Sequence, residues 1–241
     1  MRNLILFGLL VILLLAAQFA SAKTVDEVIE KYIKARGGRS RLAGVKSIYM
    51  EAVKDSSAGQ AQIKFIKEQD KLSRTEIEAG EETGIVLVTD QNAWSFFPFR
   101  NSSPEKISNL DLTGLQTEMD IAGPLVDYES KGHSAELLGK EVLEGFSCYK
   151  IKLVTNTGKE MMFWLDAGTC LITQSSVTAA PGIKATTFTL YKNYQPVDGI
   201  QFPYSVETKT YQSANINNVS EMVFSKIILN PPIDPKMYQP E

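Results

Sequence analysis

Residues 132–177 constrain the fold most, because four short segments in this stretch alternate apolar and polar residues and are separated by turn-like positions. Alternation with a period of two is typical of β-strands. The glycines at positions 139, 145, 158 and 168 are predicted to mark the turns. Since connections of a few residues can join only antiparallel neighbours, the stretch predicts an antiparallel meander.

The chain on both sides of this meander extends the same pattern. Further strands are predicted at 47–53, 60–69, 71–78, 84–89, 93–99, 184–194, 200–211 and 218–229. From Asn230 onward, prolines follow closely, and the chain is expected to leave the sheet as an extended tail. The predicted fold class is mainly β (α+β), with about eleven antiparallel strands and two or three helices.

Two segments depart from this pattern and predict helices. Residues 24–36 place apolar side chains at helical spacing, Thr24 and Glu27 can form a capping box, and Gly37 ends the helix. Residues 110–126 are rich in leucine and contain helix-interrupting glycines. We expect this second segment to form one or two short helices across the open face of the sheet.

The N-terminus has the features of a secretory signal peptide. Arg2 precedes an apolar run, and Ala20-Ser21-Ala22 matches a cleavage site, so residues 1–22 are predicted to be removed. A membrane anchor is the weaker interpretation, because the apolar run is shorter than the ~20 residues that span a bilayer. Residues 23–241 are then expected to form a single exported, soluble domain.

The net charge of the chain argues against nucleic-acid binding. The formal net charge is −3, and it becomes −4 when Arg2 is removed, whereas nucleic-acid binding requires a concentration of basic residues.

The two cysteines are predicted to lie too far apart for a disulfide. In the predicted meander, Cys148 and Cys170 lie two strand spacings apart, or ~9.5 Å. A disulfide requires Cα atoms within ~7 Å. Two free, largely buried thiols are therefore expected.

Candidates for catalysis are few. His133 is the single histidine, so a multi-histidine metal site is excluded, and no glycine-rich phosphate loop precedes a helix. A thiol pair of Cys148 and His133 is conceivable, but no neighbouring feature of the sequence lowers the pKa of that thiol. We expect no enzyme activity, cofactor or metal.

The hairpin of residues 85–96 carries unusually large apolar side chains. Its register places Leu87 opposite Trp94 and Ile85 opposite Phe96, while Phe97 makes the other face apolar as well. Such a strand either packs into a two-sided core or faces a ligand. The residues alone leave both alternatives open.

Several motifs, taken in order, resemble the exported bacterial outer-membrane lipoprotein-sorting proteins related to LolA and LolB. They include Ala35-Arg36-Gly37-Gly38, Gly123-Pro124-Leu125-Val126-Asp127-Tyr128, Trp164-Leu165-Asp166 and the run from Tyr194 to Pro203. The resemblance implies an unclosed antiparallel β-barrel capped by helices. It also implies a monomeric periplasmic carrier of lipid or lipoprotein acyl chains, served by an inner-membrane donor and an outer-membrane acceptor.

Strand parity and the hairpin register then suggest which side chains line the acyl-chain cavity. The predicted lining is Ile63, Phe65, Ile85, Leu87, Trp94, Phe96, Leu112, Leu115 and Met119. Two other functions are open: a periplasmic sensor or regulatory interaction module with the same fold and a solidly packed sheet, or an enzyme that uses Cys148 or His133.

Overall fold

The computed structural model describes residues 23–98, 100, 102–178, 185–212 and 215–240, so the predicted signal peptide lies outside the described residues. In this part of the chain, thirteen strands form one sheet. Their bounds are β1 Ser47–Ser56, β2 Gly59–Glu68, β3 Leu72–Ala79, β4 Glu82–Thr89, β5 Ala93–Phe96, β6 Glu105–Lys106, β7 Ser134–Leu143, β8 Phe146–Val154, β9 Glu160–Asp166, β10 Ile172–Thr178, β11 Ala185–Val197, β12 Ile200–Gln212 and β13 Asn215–Leu229.

The sheet is antiparallel and unclosed. Its spatial order is β6-β5-β4-β3-β2-β1-β13-β12-β11-β10-β9-β8-β7, with β6 and β7 at the two edges. Neighbours are consecutive in sequence except at the pairing of β1 with β13, which joins the first half of the sheet to the second. The predicted fold class is confirmed, with thirteen strands where about eleven were expected. The strand without a counterpart among the predicted segments is the two-residue β6.

Three α-helices are found in the described residues: α1 Val25–Arg36, α2 Arg39–Gly44 and α3 Asn109–Gln116. Helix α1 begins as predicted, since the Thr24 side chain accepts from the Glu27 backbone N–H and the Glu27 carboxylate accepts from that of Thr24. It ends at Gly37, whose φ of 128° suits only glycine. Two 3₁₀ turns, Thr117–Met119 and Pro235–Tyr238, complete the set.

The main core lies between α1 and one face of the sheet, which we call the inner face. Val28, Ile29, Tyr32 and Ile33 of α1 are buried there. They belong to a cluster with sheet residues from both halves, including Ile48, Ile151, Phe163, Ile200 and Ile227. Burying an apolar side chain of this size contributes roughly 1.5–3 kcal/mol, so this contact fixes α1 on the sheet.

The opposite, outer face is covered in part by residues 231–240, which we call the C-terminal segment. Ile233, Met237 and Tyr238 pack against a second core cluster on β2 to β5. Gln239 accepts a hydrogen bond of 2.6 Å from the buried guanidinium of Arg74 through its backbone oxygen. The predicted extended tail is therefore wrong, because the chain folds back onto the sheet after β13.

Two other local predictions have clear outcomes. Gly139 does not mark a turn, since it lies inside β7 at a register shift, with φ of 109°. Cys148 and Cys170 are free, as predicted, although only Cys148 is fully buried. Both departures occur where a β-bulge or tight turn changes the side-chain parity that the pattern assumes.

Candidate ligand-binding site

A cavity of about 650 Å³ lies on the inner face of the sheet. Its floor is formed by side chains of β9, β10 and β11, and its walls by the β2–β3 turn, the β8–β9 turn and residues 116–124. The volume falls within the range of ~300–1,000 Å³ that is typical of small-molecule sites.

The floor consists of neutral side chains. Met161 and Val177 supply apolar surface, and Ser175, Thr189 and Tyr191 supply hydroxyls. The hydroxyls of Ser175 and Tyr191 are hydrogen-bonded to each other at 3.0 Å. Because this polar pair is satisfied internally, the floor can accept an apolar ligand without leaving that pair unpaired.

Residues 109–126, which we call the cover segment, lie over one end of the cavity and are tied to the sheet by polar contacts. The Lys67 ammonium donates to the backbone oxygen of Glu118 at 2.7 Å. The Gln69 side-chain oxygen accepts from the Ile121 backbone N–H at 2.9 Å, and Gln116 donates to the Asp90 backbone oxygen at 2.7 Å.

Charged and titratable groups are concentrated at the rim. Lys131 pairs with Asp120 at 2.7 Å, which neutralises both charges locally. Burial, and secondarily the charge of Lys131, lower the pKa of His133 from its usual 6.5. His133 is therefore neutral at pH 7, and its Nδ1 accepts from the Asn156 backbone N–H at 3.1 Å.

Arg36, the last residue of α1, lies behind the cover segment beside aromatic side chains. Its guanidinium donates to the Tyr32 hydroxyl at 2.9 Å and lies 5.6 Å from the Phe202 ring centroid. Burial alone would lower the pKa of Arg36, but Tyr32, Tyr194 and Asp120 outweigh that effect and raise it. The group is a permanent cation.

Comparisons with known proteins agree with this architecture. A protein-family model described as "Uncharacterized protein" matches residues 67–241. The chain belongs to this family. No curated protein matches the sequence.

Solved structures define the fold. A LolA superfamily protein from Nitrosomonas europaea superposes with a TM-score of 0.60 at 17% identity, covering 90% of this chain and 98% of that one. A DUF1329 family protein from Desulfovibrio piger gives 0.62 at 13% identity, with coverages of 90% and 98%. An outer membrane lipoprotein-sorting protein domain from Vibrio parahaemolyticus gives 0.50 at 12%, with 88% and 95%. The fold is LolA-like, which confirms the resemblance.

The structure separates the predicted lining residues onto two faces. The register Leu87 opposite Trp94 and Ile85 opposite Phe96 is confirmed. These four side chains, however, belong to the outer-face cluster beneath the C-terminal segment. Their placement in an inner-face cavity is therefore wrong: the inner-face residues of β4 are their neighbours in sequence, such as Val88.

The other five predicted residues lie on the side of the cavity. Ile63 and Phe65 face inward, opposite Ala52 and Met50 of β1. Leu112, Leu115 and Met119 pack in a third cluster with Val88 and Ala93. The cover segment thus crosses the sheet as expected, and the ligand contacts of these five residues stay a prediction.

The proposed thiol pair is not assembled. Cys148 lies opposite Glu141, whereas His133 precedes Ser134, which lies opposite Val154 at the other end of the same hairpin. Six residues along a strand separate the two positions by about 20 Å. Burial also raises the pKa of Cys148, which disfavours the reactive thiolate.

In the described part of the chain, no group of three or more His, Cys, Asp and Glu residues has the arrangement of a metal site. Among those residues, no helix is long and apolar enough to cross a bilayer.

Sequence reasoning missed the residues that surround the cavity most closely. Ser175, Thr189 and Tyr191 occupy alternate, inward positions of β10 and β11. The alternation of side chains between the two faces of the sheet was the available signal. Ser175 lies opposite Phe163, which belongs to the main core, so Ser175 faces the same side as Phe163. An apolar pattern cannot identify hydroxyl-bearing residues as the lining of a cavity for an apolar ligand.

Proposed function

We propose that the protein is a periplasmic carrier that holds the acyl chain of a lipid or lipoprotein in the inner-face cavity, without catalysis. The observation that carries this proposal is the 650 Å³ cavity on the inner face of an unclosed LolA-like sheet. A solidly packed sensor module would have no such cavity, so the cavity favours the carrier over the interaction module.

The driving force would be the removal of acyl methylenes from water, at ~0.8 kcal/mol per CH₂. The cavity alone is short of continuous apolar surface, but the inner face of β2 extends it. Lys67 lines the cavity, and Phe65 and Ile63 follow on the same face of that strand. Phe65 lies 6.0 Å from Phe224 of β13, ring centroid to ring centroid, so an apolar track runs away from the cavity.

The accessory parts of the proposal follow from the resemblance. The chain would act as a single-domain monomer after removal of residues 1–22. It would receive its cargo from an inner-membrane donor and deliver it to an outer-membrane acceptor. Because the rim groups Lys131 and Asp120 already neutralise each other, a neutral acyl chain can pass them without facing an unpaired charge.

The test combines native mass spectrometry with ligand uptake. Protein purified gently from periplasm is expected to carry a lipid-sized mass, and the emptied protein is expected to bind a fluorescent fatty acid. Val177→Trp, which adds bulk to the cavity floor, should weaken that binding about tenfold or more.

The matched control is Thr178→Trp, because Thr178 is the next residue of β10 and is exposed. It should bind the probe like the wild type. Consistently bare protein that also fails to take up the fluorescent fatty acid would overturn the carrier proposal. Equal binding by both variants would show that the ligand does not occupy this cavity.

A further inference from the structure

Arg36 has an unmet hydrogen-bonding capacity in the interior. Its Nε is completely buried and has no hydrogen-bond partner among the described residues. The residue as a whole is half-buried, so part of it remains accessible. A buried polar group without a partner is rare, because it loses its hydration and gains nothing in return.

The charge of Arg36 is also uncompensated. No carboxylate in the described residues forms a salt bridge with it. Asp120 is close enough to influence Arg36 but is already paired with Lys131 at 2.7 Å. The two protein acceptors of Arg36 are the Tyr32 hydroxyl and, at 3.4 Å, the backbone oxygen of Ala122, and both are neutral.

Arg36 does not itself line the cavity, but residues close to it do. Tyr194 lies close enough for Arg36 to affect its titration, yet burial keeps the pKa of Tyr194 far above its usual value, so it stays neutral. Tyr191 lies in the same group of tyrosines and lines the cavity. Ala122 lies between Asp120 and Pro124, which also line the cavity.

We infer that Arg36 binds the anionic head group of the ligand, a carboxylate or a phosphate attached to an acyl chain. This inference rests on the carrier function and goes beyond it, because it selects acidic amphiphiles over neutral ones. A planar guanidinium matches the two oxygens of either head group. The acyl chain then extends from Arg36 over Tyr191 and Met161 of the cavity floor.

A bound anion explains why a charged side chain is partly desolvated at a position that an apolar side chain could fill. Tyr32 and Phe202 stack near the guanidinium, at 5.8 and 5.6 Å from their ring centroids. An apolar side chain would fill the same space without desolvating a charge. A bound anion supplies the missing acceptor for Arg36 and removes the unbalanced charge at the same time.

The first experiment needs no variant. Displacement of a fluorescent fatty acid from the full mature chain is measured with palmitic acid, with lysophosphatidic acid and with palmitic acid methyl ester. The acids are expected to bind about 10- to 100-fold more tightly than the ester, the range of a charge-assisted hydrogen bond. The stronger of the two acids identifies the head group as carboxylate or phosphate.

The second experiment assigns the preference to one residue. Arg36→Met should bring the acids to the affinity of the ester and leave ester binding unchanged. Arg36→Lys should retain part of the preference, because it keeps the charge but not the planar fork. Lys34→Met is the matched control, since Lys34 is exposed on the same helix, and it should keep the full preference.

The outcomes separate this inference from the carrier function. Equal binding of acid and ester by the wild type overturns the role of Arg36 and leaves the carrier intact. An acid preference that survives Arg36→Met likewise overturns it. Bare protein to which the fluorescent fatty acid itself fails to bind removes the carrier function.

Discussion

The two faces of the β4–β5 hairpin both carry apolar side chains but are covered in different ways. On the outer face, Leu87 is 0% exposed in a cluster against which the C-terminal segment packs. On the inner face, the cover segment packs against Val88 and Ala93, is hydrogen-bonded to the sheet, and leaves a cavity beside it. Apolar composition therefore indicates that a face is covered, and the kind of covering decides whether a ligand can enter.

Both coverings make apolar contacts with the sheet. The C-terminal segment packs three apolar side chains against the outer-face cluster, and the cover segment packs three against Val88 and Ala93. Each contact contributes hydrophobic and dispersion free energy. The cavity beside the cover segment makes the inner face the side on which a ligand can be accommodated.

Removal of the C-terminal segment should have the largest effect. A chain ending at Asn230 exposes the outer-face cluster and deprives the buried Arg74 of its Gln239 acceptor. We expect a loss of about 4 kcal/mol in the free energy of unfolding, measured by urea denaturation. A truncated chain as stable as the full one would show that the segment does not stabilise this face.

A matched pair of core truncations compares the faces directly. Leu87→Ala on the outer face should cost about 3 kcal/mol, because its site is fully buried and well packed. Leu115→Ala in the cover segment should cost about 1 kcal/mol, since Leu115 is only partly buried. Thermal unfolding of both variants measures the difference, and equal losses would contradict the contrast between the faces.

Tyr238→Phe removes a single oxygen atom from the C-terminal segment. The Tyr238 hydroxyl donates to the Glu68 carboxylate, and its removal should cost about 1 kcal/mol at pH 7. The same variant changes the response to acid. Hydrogen bonds from Lys71 first, and Tyr238 second, lower the pKa of Glu68 below its usual 4.5.

A carboxylate with a lowered folded-state pKa stabilises the protein above its unfolded pKa and loses that contribution as pH falls through the folded pKa. The wild type should therefore lose stability from Glu68 below about pH 4.5. Tyr238→Phe should lose less over that interval, because Lys71 remains as the main partner. Parallel curves for the two proteins in urea titrations at successive pH values would exclude this coupling.

Gln69→Ala should have the smallest effect on stability, at most about 1 kcal/mol, because it removes one hydrogen bond between the sheet and the cover segment. Its effect on the rates at which a ligand enters and leaves the cavity should be larger. We expect faster association and dissociation of a fluorescent fatty acid with nearly unchanged affinity, measured by stopped flow. Unaltered rates would mean that the Ile121 contact does not restrain opening.

Local patterns predicted the strands, the capping box at Thr24 and the register of Leu87 with Trp94, since each depends on nearby residues. They did not predict which face of that hairpin the cover segment takes. That choice depends on the C-terminal segment, which arrives from the far end of the chain to occupy the outer face. The fold-back after Asn230 was not predicted for the same reason, because Asn230 accepts a hydrogen bond from Lys46 near the start of the sheet. The bulge at Gly139 is a local register shift of the β7–β8 hairpin that simple alternation does not reveal.

Arg36 illustrates the same limit at the candidate site. The sequence placed it at the end of α1, where a basic residue suits the helix dipole and needs no further explanation. Only the three-dimensional arrangement shows that its Nε lacks a partner within the described part of the chain and that tyrosines of β11 lie near it.

The pairing of β1 with β13 sets an order of assembly. Ile48 pairs with Leu229, so a strand near the start of the chain can complete its pairing only with a strand near the end. When the polypeptide emerges with its N-terminus first, β1 to β6 can pair among themselves early. They cannot join the second half of the sheet until β13 appears. Until then β1 presents an open edge, which is a template for unwanted strand pairing. A partner that shields this edge during emergence would therefore raise the yield of folded protein.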